Sequence, residues 1–334
     1  MAVIRERRLP YQTLTLELPI PTSTIAARPL DCCPPSVLNP PPRPFLSDLD
    51  KIKILGHGNS GNVYLVRHRL TGVLYALKTL SANESIRRRQ ISREIDIHRF
   101  ADSPTIVRCD DVFSTPSGDI ALLLEYMDIG SLESLLHARG RRPFTEAAIA
   151  AISRQVLLGL SYLHSHQIVH RDIKPGNLLV NAAGEIKIAD FGVSKIIHQS
   201  FDTCVSYVGT SAYMSPERFD PESYGGNYDA FAADVWSLGL TVLELRLGHF
   251  PLLSPGQRPD WATLMCAICF SEMPEMPDTV SGDFRDFISR CLQKESRKRW
   301  TVEQLLAHPF VVNRDQTQSG RAFCELISSF RTTE

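Results

Sequence analysis

Ile168-Val169-His170-Arg171-Asp172-Ile173-Lys174-Pro175-Gly176-Asn177 is the stretch whose reading decides the fold. An acid, a lysine and an amide fall within ten residues, and the Pro-Gly pair excludes a helix interior. The stretch therefore reads as a loop, and loops held on a rigid scaffold are where chemistry concentrates. A solvated surface turn would explain an isolated His-Arg-Asp. It does not explain Asp190-Phe191-Gly192 beginning eighteen residues after Asp172.

Upstream, Thr145 to Ser165 carries Ile149, Ile152, Val156, Leu160 and Leu163 at helical spacing, which predicts a core helix leading into the stretch. Downstream, Leu178-Leu179-Val180, a turn over 181–184 and Ile186-Lys187-Ile188 predict a small hairpin framing Asp172 and Asp190.

Further upstream the pattern is strand-like from Asp48. Lys51 to Leu55 alternates, Gly56-His57-Gly58-Asn59-Ser60-Gly61 turns, and Val63 to Arg67 returns. A glycine-rich tip followed by a strand is unlike a dinucleotide fold, where a helix follows the third glycine. Bare backbone at such a tip can lie close over phosphates, and Val63 can cover a purine. Lys78 lies in the apolar strand Val73–Leu80, where an unpaired ammonium is costly. The helix predicted over Ser85–Phe100 offers Glu94, beside Ile91 and Ile95, as its partner. Ile120–Glu125 reads as a buried strand running into the hinge-like connector Glu125-Tyr126-Met127, with Leu124 just before it and backbone groups free to meet an adenine edge.

The bulk numbers narrow the class. A chain of 334 residues with 43% hydrophobic residues can bury a large core. The net charge of −1 gives no reason to expect a nucleic-acid or membrane partner. No apolar run reaches spanning length and the start lacks a signal-peptide core, so a cytoplasmic location with access to the nucleus is expected. The eight cysteines are expected as free thiols in a reducing compartment. Cys266-Ala-Ile-Cys269 has half-zinc-site spacing, but no second pair follows, and WATLMCAICF reads as a buried helix.

Residues 1–44 hold ten of the twenty-two prolines and are expected to be a disordered extension. Within it, Arg7 and Arg8 precede the alternating Leu14 and Leu16, a pattern suited to an extended peptide docking in a groove beside an acidic patch. The alternative is a charged, flexible terminus.

The glycine tip, Lys78, Glu94, His170-Arg171-Asp172, Asn177, Asp190-Phe191-Gly192, Ser215-Pro216-Glu217 and Asp234-Val235-Trp236-Ser237 occur in the order found in protein kinases, and the chain resembles that superfamily over about 46–311. The resemblance implies an α+β bilobal fold, with a β-rich N-lobe over about 46–124 and a mainly helical C-lobe over about 128–311. By resemblance Asp172 orients the substrate hydroxyl and Lys174 stabilises the migrating phosphoryl, while Asn177 and Asp190 hold Mg²⁺. Lys78, held by Glu94, positions the ATP phosphates beneath Gly56, Gly58 and Gly61. Leu55, Val63, Ala76, Glu125, Met127 and Leu179 complete the nucleotide site. His170, Asp234 and a Glu217–Arg299 pair are structural.

The run from Gly209 to Arg218, with Ser215 where alanine is common, is similar to mitogen-activated protein kinase kinases of the plant type. That resemblance implies transfer to both Thr and Tyr of a downstream mitogen-activated protein kinase. It also makes Ser200 and Ser206 the sites phosphorylated by an upstream kinase, with Arg171 meeting a phosphate, Thr210 contacting Asp172 and Lys174, and the N-terminal pattern docking the substrate. A Ser/Thr kinase of a neighbouring family and a docking scaffold are the alternatives. Residues 312–334, with Phe323, Leu326, Ile327 and Phe330 at helical spacing, offer either a docking helix for the upstream kinase or a helix packed back on the lobe. Gly176 stands where Ser is frequent and is expected to loosen the loop slightly.

Overall fold

The computed structural model describes residues 44–58, 61–81, 85–115, 118–196, 211–223, 229–254, 260–272, 274, 276–313 and 316–331. Arg7, Arg8, Leu14, Leu16, Ser200, Ser206 and Thr210 lie outside them.

The N-lobe is a five-stranded antiparallel sheet in the order β1-β2-β3-β5-β4. Its strands are β1 (Leu49–Gly58), β2 (Gly61–His68), β3 (Leu74–Leu80), β4 (Cys109–Ser114) and β5 (Ile120–Glu125). Side chains alternate across it as the two-residue period requires. Leu77, Ala121 and Leu123 join Leu49 and Val66 on one face. Leu80 and Leu122 meet Ile91 of helix α1 (Ser85–Phe100) on the other. Burial on both faces explains why Ile120–Glu125 reads as an unbroken apolar run.

The glycine tip is a hairpin, with Gly58 opposite Gly61. Gly61 serves packing: at φ +143° a Cβ there would stand 1.7 Å from the Thr79 carbonyl oxygen of β3. A Cβ on Gly56 would meet nothing within 4 Å, so there the missing side chain leaves open space. His57 Nδ1 lies 2.8 Å from Asn62 Oδ1 and fastens the two strands across the tip.

The C-lobe is built on α3 (Glu146–Ser165), capped by Thr145, and α5 (Ala230–Leu247), capped by Asp229. Before α3 come the short strand β6 (Gly130–Ser131) and α2 (Leu132–Ala138), and between α3 and α5 come the short strands β7 (Ile168–Val169), β8 (Leu178–Val180), β9 (Ile186–Ile188) and β10 (Lys195–Ile196), with α4 (Pro216–Phe219). Ile149, Ile152, Val156, Leu160 and Leu163 of α3 are all buried in one continuous core. α5 is buried on every side from Ala232 to Leu245, the signature of a central helix. It stops at Gly248, whose φ of 83° and 2.1 Å approach of a would-be Cβ to the Arg141 carbonyl oxygen both require glycine.

One expectation changes and one open alternative is decided. The WATLMCAICF segment is a short helix, α6 (Trp261–Met265), continued as a π-helical turn over Cys266–Phe270. Only Leu264, Ile268 and Cys269 are buried, and Trp261 and Phe270 are 47% and 67% exposed. Its apolar residues exceed one face, and the Trp261 ring stacks on Phe219 of α4 with centroids 4.2 Å apart. The C-terminal segment forms α10 (Gln316–Arg331), which follows α7 (Gly282–Cys291), α8 (Val302–Leu306) and α9 (Pro309–Val312). Phe323, Leu326 and Ile327 are buried in the C-lobe core, so this face packs back on the lobe and is not left for a partner. Among the described residues, no helix is long and apolar enough to cross a membrane.

Candidate active site

Lys78 is the link between the lobes. Its Nζ lies 2.6 Å from Glu94 Oε1 on α1 and 2.8 Å from Asp190 Oδ1 on the far side of the cleft. Burial alone would pull the ammonium pKa down, but the two carboxylates outweigh it and hold it above its ordinary value. Burial tends to raise the Asp190 carboxyl, yet Lys78 and the Gly192 N–H bring it down to about 2. Glu94 moves the other way, raised by burial and by sharing one ammonium with Asp190. The cluster sets two carboxyl groups against one ammonium.

The His170–Asn177 stretch is held from beneath by Asp234, which is fully buried at the start of α5. Its carboxylate accepts the backbone N–H of His170 at 2.9 Å and of Arg171 at 2.8 Å, with His164 Nε2 at 3.0 Å. Burial tends to raise the Asp234 carboxyl, but these donors hold it below the usual range. Arg171 can then adopt its left-handed φ of 70°. His170 Nδ1 accepts from the Asp172 N–H at 3.2 Å while Nε2 faces the Ala189 carbonyl oxygen at 3.1 Å. Asp172 Oδ2 receives Lys174 Nζ and Asn177 Nδ2, both at 2.8 Å. Asp172 Oδ1 is buried and accepts nothing from the described residues. A buried carboxylate oxygen without a donor is costly, which leaves Oδ1 with accepting capacity to spare.

Residues 49–311 match the protein kinase domain family. Mitogen-activated protein kinase kinase 9 of Arabidopsis thaliana is 52% identical over 329 residues, covering 93% of this chain and 99% of that protein. Mitogen-activated protein kinase kinase 7 of the same plant is 52% identical over 318 residues, with 93% and 99% covered. Mitogen-activated protein kinase kinase SIPKK of Nicotiana tabacum is 40% identical over 288 residues, with 84% and 78% covered. The chain belongs to the plant mitogen-activated protein kinase kinases.

A kinase of this family works with ATP and a divalent metal. The donor set fits a hard cation. Asp190 keeps a carboxylate oxygen beyond the one bound to Lys78, and Asn177 spends only its Nδ2 on Asp172, keeping its amide oxygen. Both are oxygen donors.

On the nucleotide side, Val63 pairs with Lys78, and Ala76 stands between Leu65 and Leu124 in the sheet. Leu55 is 38% exposed, Met127 is buried and Leu179 is half-buried on β8 in the opposite lobe. The Glu125 carboxylate is occupied: Lys187 Nζ sits 2.8 Å from both oxygens and the Arg108 N–H 2.7 Å from Oε1. The Glu125 N–H is also spent, on the Arg108 carbonyl oxygen at 3.0 Å.

In the segment ending Ser215-Pro216-Glu217, the Arg299 guanidinium grips Glu217 at 2.6 and 2.7 Å, with both side chains buried. Arg218 Nη1 donates to the Arg171 carbonyl oxygen at 2.8 Å, tying this segment to the catalytic loop. A Cβ on Gly176 would meet Glu133 Oε2 at 2.8 Å, so glycine there gives Glu133 room to approach the loop.

Sequence reasoning missed His98. It is buried on α1, its ring edge-on to Phe191 with centroids 5.1 Å apart. Phe191 in turn meets His170 at 5.3 Å. Burial, helped by the Lys78 charge and opposed by Asp190, lowers the His98 pKa to about 4. Its spacing four residues after Glu94 put it on the inward face, but a histidine in a basic helix reads as solvated.

Proposed function

We propose that this kinase transfers the γ-phosphoryl group of ATP to Thr and Tyr in the activation loop of a mitogen-activated protein kinase, and that an upstream kinase switches it on at Ser200 and Ser206. The observation that carries the reading is the Lys78 bridge between Glu94 and Asp190, together with the buried Asp172 Oδ1 that accepts nothing from the described residues.

Asp172 accepts the proton of the substrate hydroxyl as its oxygen attacks the γ-phosphorus and the bond to ADP breaks. Lys174, already 2.8 Å from Asp172, neutralises charge on the moving phosphoryl group. Lys78 orients the α- and β-phosphates under the hairpin tip carrying Gly56 and Gly58. Asn177 and Asp190 hold Mg²⁺, which when bound neutralises the charge developing on the phosphate oxygens. Phosphates on Ser200 and Ser206 each add roughly −1.5 to −2 charges and are drawn toward Arg171, ordering the segment. Thr210 contacts Asp172 and Lys174. The Arg7, Arg8, Leu14 and Leu16 pattern docks the substrate kinase, and the reaction takes place in the cytoplasm with access to the nucleus.

Support comes from the relatives' names and from a complete set of phosphoryl-transfer side chains. The test is the full chain with Ser200→Glu and Ser206→Glu, assayed with Mg²⁺ and ATP against kinase-dead plant mitogen-activated protein kinases. Phosphothreonine and phosphotyrosine should both appear on the substrate. Phosphothreonine alone would make it a Ser/Thr kinase, and binding without transfer would make it a scaffold. Ser200→Ala with Ser206→Ala should block activation by an upstream kinase.

A further inference from the structure

Lys187 and Glu125 form a second ionic link between the lobes, at the hinge end of the cleft. Lys187 lies on β9 in the C-lobe, and Glu125 ends β5 in the N-lobe. The ammonium sits 2.8 Å from both carboxylate oxygens, and the two side chains are only 11% and 16% exposed. So little exposure sets the pair apart from solvent-screened surface pairs, which contribute almost nothing. The other link between the lobes, from Lys78 to Asp190, is made of groups that the proposed reaction itself uses. The Lys187–Glu125 pair is not asked to meet phosphate or metal, so it can persist through turnover.

Strand register shows what this pair joins. In the N-lobe, Leu124 next to Glu125 pairs with Ala76. In the C-lobe, Lys187 itself pairs with Leu179, and directly opposed residues of an antiparallel ladder share a face. Ala76 and Leu179 belong to the nucleotide site by resemblance and come from opposite lobes. Behind the pair the backbone is also sewn across. The Val107 N–H donates to the Ile188 carbonyl oxygen at 3.0 Å, and the Ile188 N–H to the Thr105 carbonyl oxygen at 2.9 Å. Arg108 then meets Glu125 twice: its N–H donates to Oε1 at 2.7 Å, and its carbonyl oxygen accepts the Glu125 N–H at 3.0 Å. β9, the segment 105–108 and β5 thus form a ring that the ion pair closes.

We propose that Lys187 and the Glu125 carboxylate are positioning residues for the nucleotide, whose pairing sets the spacing between the Ala76 and Leu179 sides of the site at its adenine end. The inference rests on ATP entering this cleft and adds the device that fixes the width of the slot. With the pair broken, the backbone seam at 105–108 still joins the lobes, but β9 is free to move away from the hinge strand. A gap of about 0.5 Å already forfeits about a quarter of the dispersion energy of the contacts it opens. The loss falls on the adenine end, so it is the same for ligands with and without phosphates.

The test is calorimetric binding to the full chain of a non-hydrolysable ATP analogue and, by competition with it, of adenosine, which carries no phosphate. Lys187→Met and Glu125→Gln break the pair from either end, and the amide introduced by Glu125→Gln still accepts the Arg108 N–H. The double variant leaves no unpaired buried charge, so it reads the same effect where a single variant fails to fold. Each variant should bind both ligands about tenfold more weakly, a coupling common between linked sites, and the double variant should lose no more than the worse single one. A direct action of charge on the phosphates predicts the opposite signs: Lys187→Met would weaken the ATP analogue alone, and Glu125→Gln would tighten it. That pattern would overturn the proposal, as would losses that add in the double variant, or unchanged affinities with only the Tm lowered. No step of the test uses phosphoryl transfer to Thr or Tyr, so its failure leaves the proposed reaction standing, and a chain that binds as expected but transfers no phosphate fails the reaction alone.

Discussion

At the scale of single residues, Lys78 shows how a costly choice becomes the centre of a site. An ammonium in an apolar strand is tolerated because two carboxylates from different lobes meet it at 2.6 and 2.8 Å. Lys78→Arg keeps the charge but replaces a compact ammonium with a planar fork that does not fit between Glu94 and Asp190. Phosphoryl transfer should fall by about 10²-fold or more while the far-UV circular dichroism stays unchanged; activity within a few-fold of the parent would remove Lys78 from its proposed role. His98 gives a pH-dependent prediction. Its pKa is about 4 in the fold against 6.5 when solvated. Above pH 6.5 both states are neutral and nothing is lost. As pH falls from 6.5 towards 4 the unfolded chain takes up a proton that the native chain refuses, and stability declines by up to about 1.4 kcal/mol per pH unit. Asp190, lowered to about 2 from 3.8, stabilises above pH 3.8 and begins to matter only below that window. Urea unfolding at pH 7.5, 6 and 5 should therefore show a shallower decline in His98→Leu than in the parent, and parallel declines would exclude His98 as the source.

At the scale of elements, two struts set the position of the loops. One is Asp234 at the head of α5, the other the Arg299–Glu217 pair that pins the end of the activation segment to the segment before α8. Both groups of the pair are buried, and removing one leaves a buried charge. Arg299→Met should cost about 3–5 kcal/mol, read as a lower urea midpoint, and Glu217→Leu combined with it should recover part of that loss. No recovery in the double variant would mean that the guanidinium matters chiefly through the carbonyl oxygens it also caps. The motifs His170-Arg171-Asp172 and Asp190-Phe191-Gly192 were legible because Pro, Gly and charged residues interrupt a hydrophobic pattern. The left-handed backbone at Arg171 was not, since arginine does not signal it and the Asp234 carboxylate holds the loop there.

At the scale of the whole molecule, the apolar face of α10 is taken up by the C-lobe core. That face is therefore not open to an upstream kinase, and on the proposed reading the N-terminal pattern docks the substrate kinase. Replacing Arg7, Arg8, Leu14 and Leu16 together by alanine should raise the KM for a protein substrate about tenfold and leave the KM for ATP unchanged. If neither constant moves, those residues do not dock the substrate.

The sequence alone determined the first three strands and the helix after them, the strand into the hinge, the core helix before the catalytic loop, the glycine hairpin and which acids, amide and lysines to look for. Local spacing and propensity carry that information, because a two-residue or 3.6-residue period is written directly in the chain. Only the tertiary structure decided which partner each charge meets. It gave the Glu125 side chain to Lys187, brought His98 against Phe191, and assigned Gly61 to packing against Thr79. It also joined His164 through Asp234 to the catalytic loop. Those pairings join residues as much as 112 positions apart, as with Lys78 and Asp190. What fixes them is burial, which makes an unpaired charge or donor costly and leaves few arrangements that satisfy all of them at once.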